Sequence, residues 1–239
     1  PSTRLAEYLT SLPKSYAATI RLGAATDTDD LTGEVTASDE GWRDVTPEAA
    51  AEALTRQVGT ILQRPPAYSA KKVKGERMYA AARRGDVLEL SPVEVTIDAI
   101  RVRRYVPPLL DIEVDCGSGT YIRAIARDLG EALGVGGHLT RLRRTRIGQV
   151  EVGSALPLES LDEPEAVRGA LLSPAEALAH LERVSLRESE VAAIRHGRAI
   201  PATTDAPSGA TMALVDTEGA LLAIGEQHEG RIRPRKVFV

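Results

Sequence analysis

The sequence predicts an α+β fold followed by a small strand-rich unit, and three observations point there. Segments of period-2 alternation, such as Leu110, Ile112, Val114 and Cys116 against Asp111, Glu113 and Asp115, mix with segments of helical spacing, such as Ile122, Ile125, Ala126, Leu129 and Leu133. Their order is irregular and lacks the steady alternation of a doubly wound sheet. After Val150 the composition shifts, and Pro157, Pro164 and Pro174 punctuate a connection rich in Ala, Leu and Glu. The expected division is a body at residues 1–150, a helical connection at 151–182 and a strand-rich unit at 183–239.

In chain order, Thr3 to Leu12 reads as the end of a helix stopped by Pro13, and Lys14 to Leu22 alternates as a strand. Thr26 to Gly33 is a polar, turn-rich loop. Thr46 and Pro47 form an N-cap and N1 pair, and Ala50, Leu54, Val58 and Ile61 mark a helix buried on one side, interrupted by the extended run Arg64 to Ser69. Lys71 to Gly75 is basic and turning, and Arg77 to Arg84 is a short helix closed by Gly85. Val93, Val95, Ile97, Ile100 and Val102 predict one long strand or two. Near the end, Ser185 and Glu188 suggest a capping box, Gly197 closes the helix, and Met212–Val215 with Leu221–Ile224 reads as a hairpin.

The most informative stretch is Cys116-Gly117-Ser118-Gly119-Thr120-Tyr121-Ile122-Arg123. It ends a strand, turns on two glycines and opens a helix, so Tyr121 and Arg123 sit on rigid elements at a strand-to-helix corner, and Arg123 and Arg127 leave the apolar face together.

Composition narrows the function classes. The chain has 239 residues, 43% hydrophobic and 27% charged, with no apolar run near the roughly 20 residues of a membrane helix. A lone cysteine excludes a disulfide framework, and the expected setting is the reducing cytoplasm, with no membrane partner. His138, His180, His196 and His228 are scattered, which argues against a metal site. Asp27, Asp29 and Asp30 lack the ligand spacing of a calcium loop and suit a loop capping its own turn. Gly117-x-Gly119 has no third glycine and no phosphate-loop lysine. A net charge of -4 rules out a uniformly basic coat, yet three local basic runs occur: Lys71 to Arg84, Arg141 to Arg146, and Arg231 to Lys236. Six Tyr stand against one Phe and one Trp, and Tyr16, Tyr68, Tyr79 and Tyr121 lie beside cations, Gly or Pro, a pairing suited to base stacking. These residues alone leave open a nucleic acid or another anionic, aromatic ligand.

Several motifs together resemble the TruB family of tRNA pseudouridine synthases. They are Lys14-Ser15-Tyr16 with Leu22-Gly23 and Thr26-Asp27-Thr28-x-Asp30-x-x-Gly33; Pro65-Pro66-x-Tyr68-Ser69-Ala70-x-Lys72-x-x-Gly75-x-Arg77-x-Tyr79; Gly119-Thr120-Tyr121-Ile122-Arg123 with Asp128-Leu129-Gly130; and Gly137-His138-Leu139-x-x-Leu142-Arg143-Arg144. The resemblance implies a mixed, mainly antiparallel sheet flanked by helices, a C-terminal PUA-like RNA-binding unit, and isomerisation of the T-loop uridine at position 55 of tRNA without cofactor or metal. It implies that Tyr16 stacks on the flipped base and handles the carbon-5 proton, that Arg123 pairs with a nucleophilic aspartate, and that Tyr121 and Leu142 line the pocket. Lys72, Arg77, Tyr79, Arg141, Arg143 and Arg144 are the expected tRNA contacts, and a monomer is expected. The family's aspartate lies in a Gly-x-Leu-Asp-Pro type segment that these residues do not include, so the expectation is a chain truncated ahead of Pro1. Two other classes remain: a non-catalytic tRNA-binding or tRNA-folding protein, and a small-molecule enzyme using Asp27.

Overall fold

The computed structural model describes residues 2–68, 72–73, 76–77 and 91–238, and the chain divides into two compact units, residues 12–147 and residues 1–11 with 148–239. The elements up to the boundary are α1 (Ala6–Thr10), β1 (Lys14–Leu22), β2 (Ala24–Thr26), β3 (Val35–Ser38), α2 (Pro47–Thr55), β4 (Gly59–Gln63), β5 (Lys72–Val73), β6 (Glu76–Arg77), β7 (Val93–Val106), β8 (Leu109–Cys116), α3 (Ile122–Leu133) and β9 (Gly137–Ile147).

In the 12–147 unit, five strands of the main sheet run in the order β9-β1-β8-β7-β4, and every pairing among them is antiparallel. Alternation decides the two faces. Ala18, Ile20 and Leu22 of β1 and Leu110, Ile112, Val114 and Cys116 of β8 are buried, and they share one core with Ala50, Ala53 and Leu54 of α2 and Ile122, Ile125, Ala126 and Leu129 of α3. Burying each large aliphatic side chain here contributes about 1.5–3 kcal/mol. Asp111, Glu113 and Asp115 point to the opposite, water-facing side. There Ser15 donates to Asp115, Arg101 pairs with Asp115 at 2.7 Å and Arg103 with Glu113 at 2.6 Å. The α3 helix lies close against the start of β9: a Cβ added to Gly130 would stand 2.1 Å from the Gly137 nitrogen, so even Gly130→Ala would push helix from strand.

Two local expectations are corrected and a third is narrowed. The helix opened by Thr46, whose hydroxyl accepts from the Ala49 N–H at 3.2 Å, stops at Thr55 instead of reaching Ile61. Gly59 adopts a left-handed φ of +105°, and β4 then saturates its backbone against β7, so Ile61 belongs to a strand. A helix beginning at Arg77 is replaced there by the β5–β6 ladder, in which Lys72 faces Arg77; residues 78–90 lie outside the described residues. The expected long strand is a single one, β7, which keeps its face through register shifts at Ile97/Ala99 and Val102/Arg104.

The other unit contains β10 (Val150–Glu151), α4 (Pro164–Ala170), α5 (Pro174–Ala177), β11 (Glu182–Ser185), α6 (Glu188–Arg195), β12 (Ile200–Pro201), β13 (Thr211–Val215), β14 (Leu221–His228) and β15 (Arg231–Val237). Its sheet runs β11-β13-β14-β15-β12, with β11 parallel to β13 and a β13–β14 hairpin as expected. Both faces are covered. Met212 and Leu214 pack with Ile194 of α6, whereas Ala213 and Val215 pack with Leu5 and Leu178, which explains the unbroken apolar run of β13. The first residues are therefore part of this unit's core, where Arg4 also donates to the Val237 carbonyl at 2.9 Å. The capping box is shifted: Ser185 lies in β11, and the Glu190 carboxylate accepts the Arg187 N–H at 2.9 Å. Gly197, at φ +72°, closes α6 as expected.

Candidate active site

The site assembles around the first turns of α3. This helix has no side-chain N-cap of its own; a glutamine from another strand replaces it. Gln63, fully buried at the end of β4, accepts the Tyr121 N–H through Oε1 at 2.8 Å and donates through Nε2 to the Tyr121 carbonyl at 3.1 Å. The same carbonyl receives the N–H groups of Ala124 and Ile125, so one amide side chain fixes the origin of the helix.

From that fixed origin Arg123 reaches across to the Thr26–Gly33 loop. One terminal nitrogen donates to Asp30 Oδ2 at 2.9 Å and to the Thr28 carbonyl at 3.1 Å, and the other donates to the Tyr68 carbonyl at 2.8 Å. These contacts use three of a guanidinium's five N–H donors, and the other two have no acceptor among the described residues. One turn later Arg127 grips the same loop through Asp29 at 3.0 Å, and binds Asp128 at 2.7 Å and the Arg64 carbonyl at 2.8 Å.

The loop is built to present those two carboxylates. Asp27 accepts the Glu34 N–H at 2.9 Å, and Asp30 Oδ1 accepts from the Thr32 N–H at 3.0 Å, the Thr32 hydroxyl at 2.6 Å and the Thr28 hydroxyl at 2.9 Å. A Cβ on Gly33 would stand 2.3 Å from the Thr28 hydroxyl, so the turn requires glycine. Asp29 sits at a left-handed φ of 59°, a conformation Asp tolerates better than most residues. Burial would raise the Asp30 carboxyl, but the hydrogen bonds from Thr32 and Thr28 and the charge of Arg123 carry it below the ordinary value. Burial pushes the Asp29 carboxyl up, against the opposing pull of Arg127. The loop thus caps its own turns, as its composition suggests, and Asp30 is committed as an acceptor on both oxygens. No cluster of three or more His, Cys, Asp and Glu side chains able to hold a metal occurs among the described residues.

Tyr16 lies on β1, opposite Val114 and Arg144, and packs half-buried against the shared core on the helix-bearing side of the sheet. Burial pushes its phenol up, while a hydrogen bond from Arg144 pulls the other way. Strand β9 distributes its basic residues between the two faces. Leu142, opposite Ala18, and Arg144, opposite Tyr16, belong to the helix side, whereas Arg141, opposite Thr19, and Arg143, opposite Ala17, belong to the other. A bulge at Thr145 moves Arg146 to that other side, where it reaches Asp115 at 3.4 Å. Leu142 is 48% exposed, an unusual setting for a leucine that faces the core side.

The structure therefore brings Arg123, Tyr121, Tyr16, Leu142 and Arg144 to one side of the sheet and sets Arg141 and Arg143 apart from them. Tyr79 lies outside the described residues, and Lys72 and Arg77 are described only as backbone. Sequence reasoning placed Arg127 beside Arg123 but missed Gln63 and the paired use of Asp29 and Asp30 by the two arginines. For Gln63 the available signal was a polar residue closing an apolar run directly before Arg64-Pro65-Pro66.

Comparison with known proteins matches residues 1–122 to the TruB family pseudouridylate synthase N-terminal domain, residues 123–179 to the tRNA pseudouridylate synthase B C-terminal domain, and residues 183–238 to the pseudouridine synthase II TruB C-terminal family. The tRNA pseudouridine synthase B of Mycobacterium bovis is 42% identical over 237 residues, covering 97% of this chain and 77% of that protein. The corresponding protein of Microcystis aeruginosa is 41% identical over 229 residues, covering 94% and 76%. Among solved structures, a Cbf5–Nop10–Gar1 complex superimposes with a TM-score of 0.74 at 24% identity, covering 99% of this chain and 70% of the matched chain. An H/ACA ribonucleoprotein bound to a substrate RNA superimposes at 0.73 and 21% identity, with 99% and 69% coverage. These two likenesses establish the fold.

Proposed function

The chain belongs to the TruB family of pseudouridine synthases, and from that premise we propose that it isomerises uridine to pseudouridine in tRNA, at the T-loop uridine of position 55. The single observation that carries the mechanism is Arg123, anchored by a fixed helix origin and two carbonyls yet with two donors that no described residue accepts. A carboxylate brought to those donors stays ionised and nucleophilic. The family's Gly-x-Leu-Asp-Pro type segment supplies that carboxylate and does not occur within these 239 residues.

In the reaction the aspartate carboxylate attacks ribose carbon 1 as its bond to N1 breaks, the uracil turns, and carbon 5 bonds to carbon 1 as the carboxylate leaves it. Carbon 5 loses a proton and N1 gains one, so atoms and charge balance and no redox partner enters. The uridine must first leave its stack, which costs a few kcal/mol unless side chains replace the lost contacts. Tyr16 supplies a ring for that stacking and is the group proposed to handle the carbon-5 proton, for which the hydrogen bond from Arg144 favours the deprotonated phenol against the burial that raises it. Tyr121 and Leu142 wall the pocket, and Arg144, Lys72, Arg77 and Tyr79 meet the RNA. Residues 183–239 act as a PUA-like RNA-binding unit, whose Arg231, Arg233, Arg235 and Lys236 contact the acceptor side. The protein works as a monomer in the cytoplasm; no helix among the described residues is long and apolar enough to cross a membrane.

The test fuses a relative's Gly-x-Leu-Asp-Pro segment ahead of Pro1 and incubates the protein with a tRNA transcript tritiated at carbon 5 of uridine. Tritium release confined to the T-loop uridine is expected. Binding without release would favour the non-catalytic tRNA-binding reading, and release from another uridine would overturn the T-loop assignment.

A further inference from the structure

The sheet face away from α2 and α3 has two unlike ends. At one end the arginines are paired: Arg101 and Arg146 meet Asp115, and Arg103 meets Glu113. At the other end Arg21, Arg104 and Arg141 border a pocket of about 380 Å³, and none of their guanidiniums makes a hydrogen bond or ion pair with a described residue. The one carboxylate there, Asp111, already accepts from the Thr19 hydroxyl at 2.6 Å. Besides Thr19 and Thr140 the wall is apolar and open to water: Leu31 is 64% exposed, Val106 50% and Leu109 44%.

We infer that this pocket is a second nucleotide site, taking one unpaired nucleotide of the tRNA substrate outside the modified loop. The inference rests on the reading of the protein as a tRNA-modifying enzyme. Three unpartnered guanidiniums converging on one concavity match the charge of a phosphodiester, and the leucine and valine wall matches the flat apolar face of a base. The volume falls within the roughly 300–1,000 Å³ typical of small-molecule sites. The nucleotide held here cannot be the one that stacks on Tyr16, because Arg141 and Tyr16 belong to opposite faces of the same sheet. The Thr26–Gly33 loop joins the two: Asp30 binds Arg123 on the helix side, and the next residue, Leu31, lines the pocket. Occupancy of the pocket therefore bears directly on the loop that positions Arg123.

The experiment measures tRNA binding by the chain as it stands, over a salt series, for wild type, for Arg21→Ala/Arg104→Ala/Arg141→Ala, and for the control Arg101→Ala/Arg103→Ala. Backbone footprinting of the bound tRNA accompanies each. The pocket variant should lose about tenfold or more in affinity and flatten the salt dependence by about two phosphate equivalents, with one protected backbone segment outside the T-loop lost. The control should stay within about twofold of wild type, as neutral pairs at the surface allow. Leu31→Glu, at an exposed position that folding does not depend on, should weaken binding and expose the same segment. A pocket variant that binds and protects tRNA like wild type overturns the inference while leaving the enzyme reading intact. Wild type that fails to bind tRNA overturns that reading, and this inference with it.

Discussion

Arg123 and Arg127 stand one turn apart on the same helix and bind successive aspartates of the same loop, yet they meet different surroundings. Arg127 and Asp29 are each 11% exposed, and Arg127 also holds Asp128 and the Arg64 carbonyl. Arg123 and Asp30 are each 24% exposed, and two Arg123 donors have no acceptor among the described residues. The buried pair locks the loop to the helix, and the more open pair leaves part of a guanidinium accessible. The difference teaches that two like pairs on one helix can divide the work: the buried one fixes the loop, and the more open one is left free for the role proposed for Arg123.

Replacing Arg127 should have the largest effect on folding. Arg127→Ala strands the buried Asp29 carboxylate and should cost about 3–5 kcal/mol, read from the denaturant midpoint; a loss under about 1 kcal/mol would erase the distinction between the pairs. Arg123→Ala should instead leave stability within about 1 kcal/mol. In the fused enzyme it should slow turnover by about 10²–10³-fold, with tRNA affinity nearly unchanged. Equal losses of rate and affinity would make Arg123 an RNA anchor. Gln63→Ala leaves the Tyr121 N–H buried without a partner and should cost about 1–3 kcal/mol. Its turnover defect should exceed its binding defect, because Arg123 loses its fixed origin.

The smallest effect lies in the pH dependence, where the two aspartates have opposite signs. Asp30, held below its ordinary value, contributes stability that is intact above an unfolded pKa of about 3.9 and is lost as pH falls through its lowered folded value. Asp29, held above its ordinary value, contributes stability that is complete below about 3.9 and is lost as pH rises through its raised folded value. Asp30→Asn should therefore flatten the acid side of the stability profile, and Asp29→Asn should remove a decline on the opposite side. Urea midpoints measured across acidic pH check both, and a common sign for the two variants would contradict the burial argument.

Much of the body was legible because its signals are local. β1 begins and ends where the alternation of Lys14 to Leu22 does, β8 follows Leu110 to Cys116, and α3 opens at Ile122 after the two glycines. The motifs around Tyr16, Tyr121 and Arg123 were readable for the same reason, since each lies within one element or corner. Ile61 was misassigned because helical spacing and a short apolar strand look alike until a partner, here β7, claims the backbone. Gln63 looked like an ordinary polar residue because its two hydrogen-bond partners belong to Tyr121, far along the chain.

By itself the sequence determined which segments alternate, which coil, and that an arginine and a tyrosine flank a glycine corner, because backbone geometry ties side-chain direction to spacing along the chain. Only the tertiary structure decided which basic residues act together. Bulges at Thr140 and Thr145 in β9 reset the alternation against β1, placing Arg144 beside Tyr16 and turning Arg141, Arg143 and Arg146 to the far side. Register is set between strands distant in sequence, and a run of arginines carries no mark of the neighbour that will divide it.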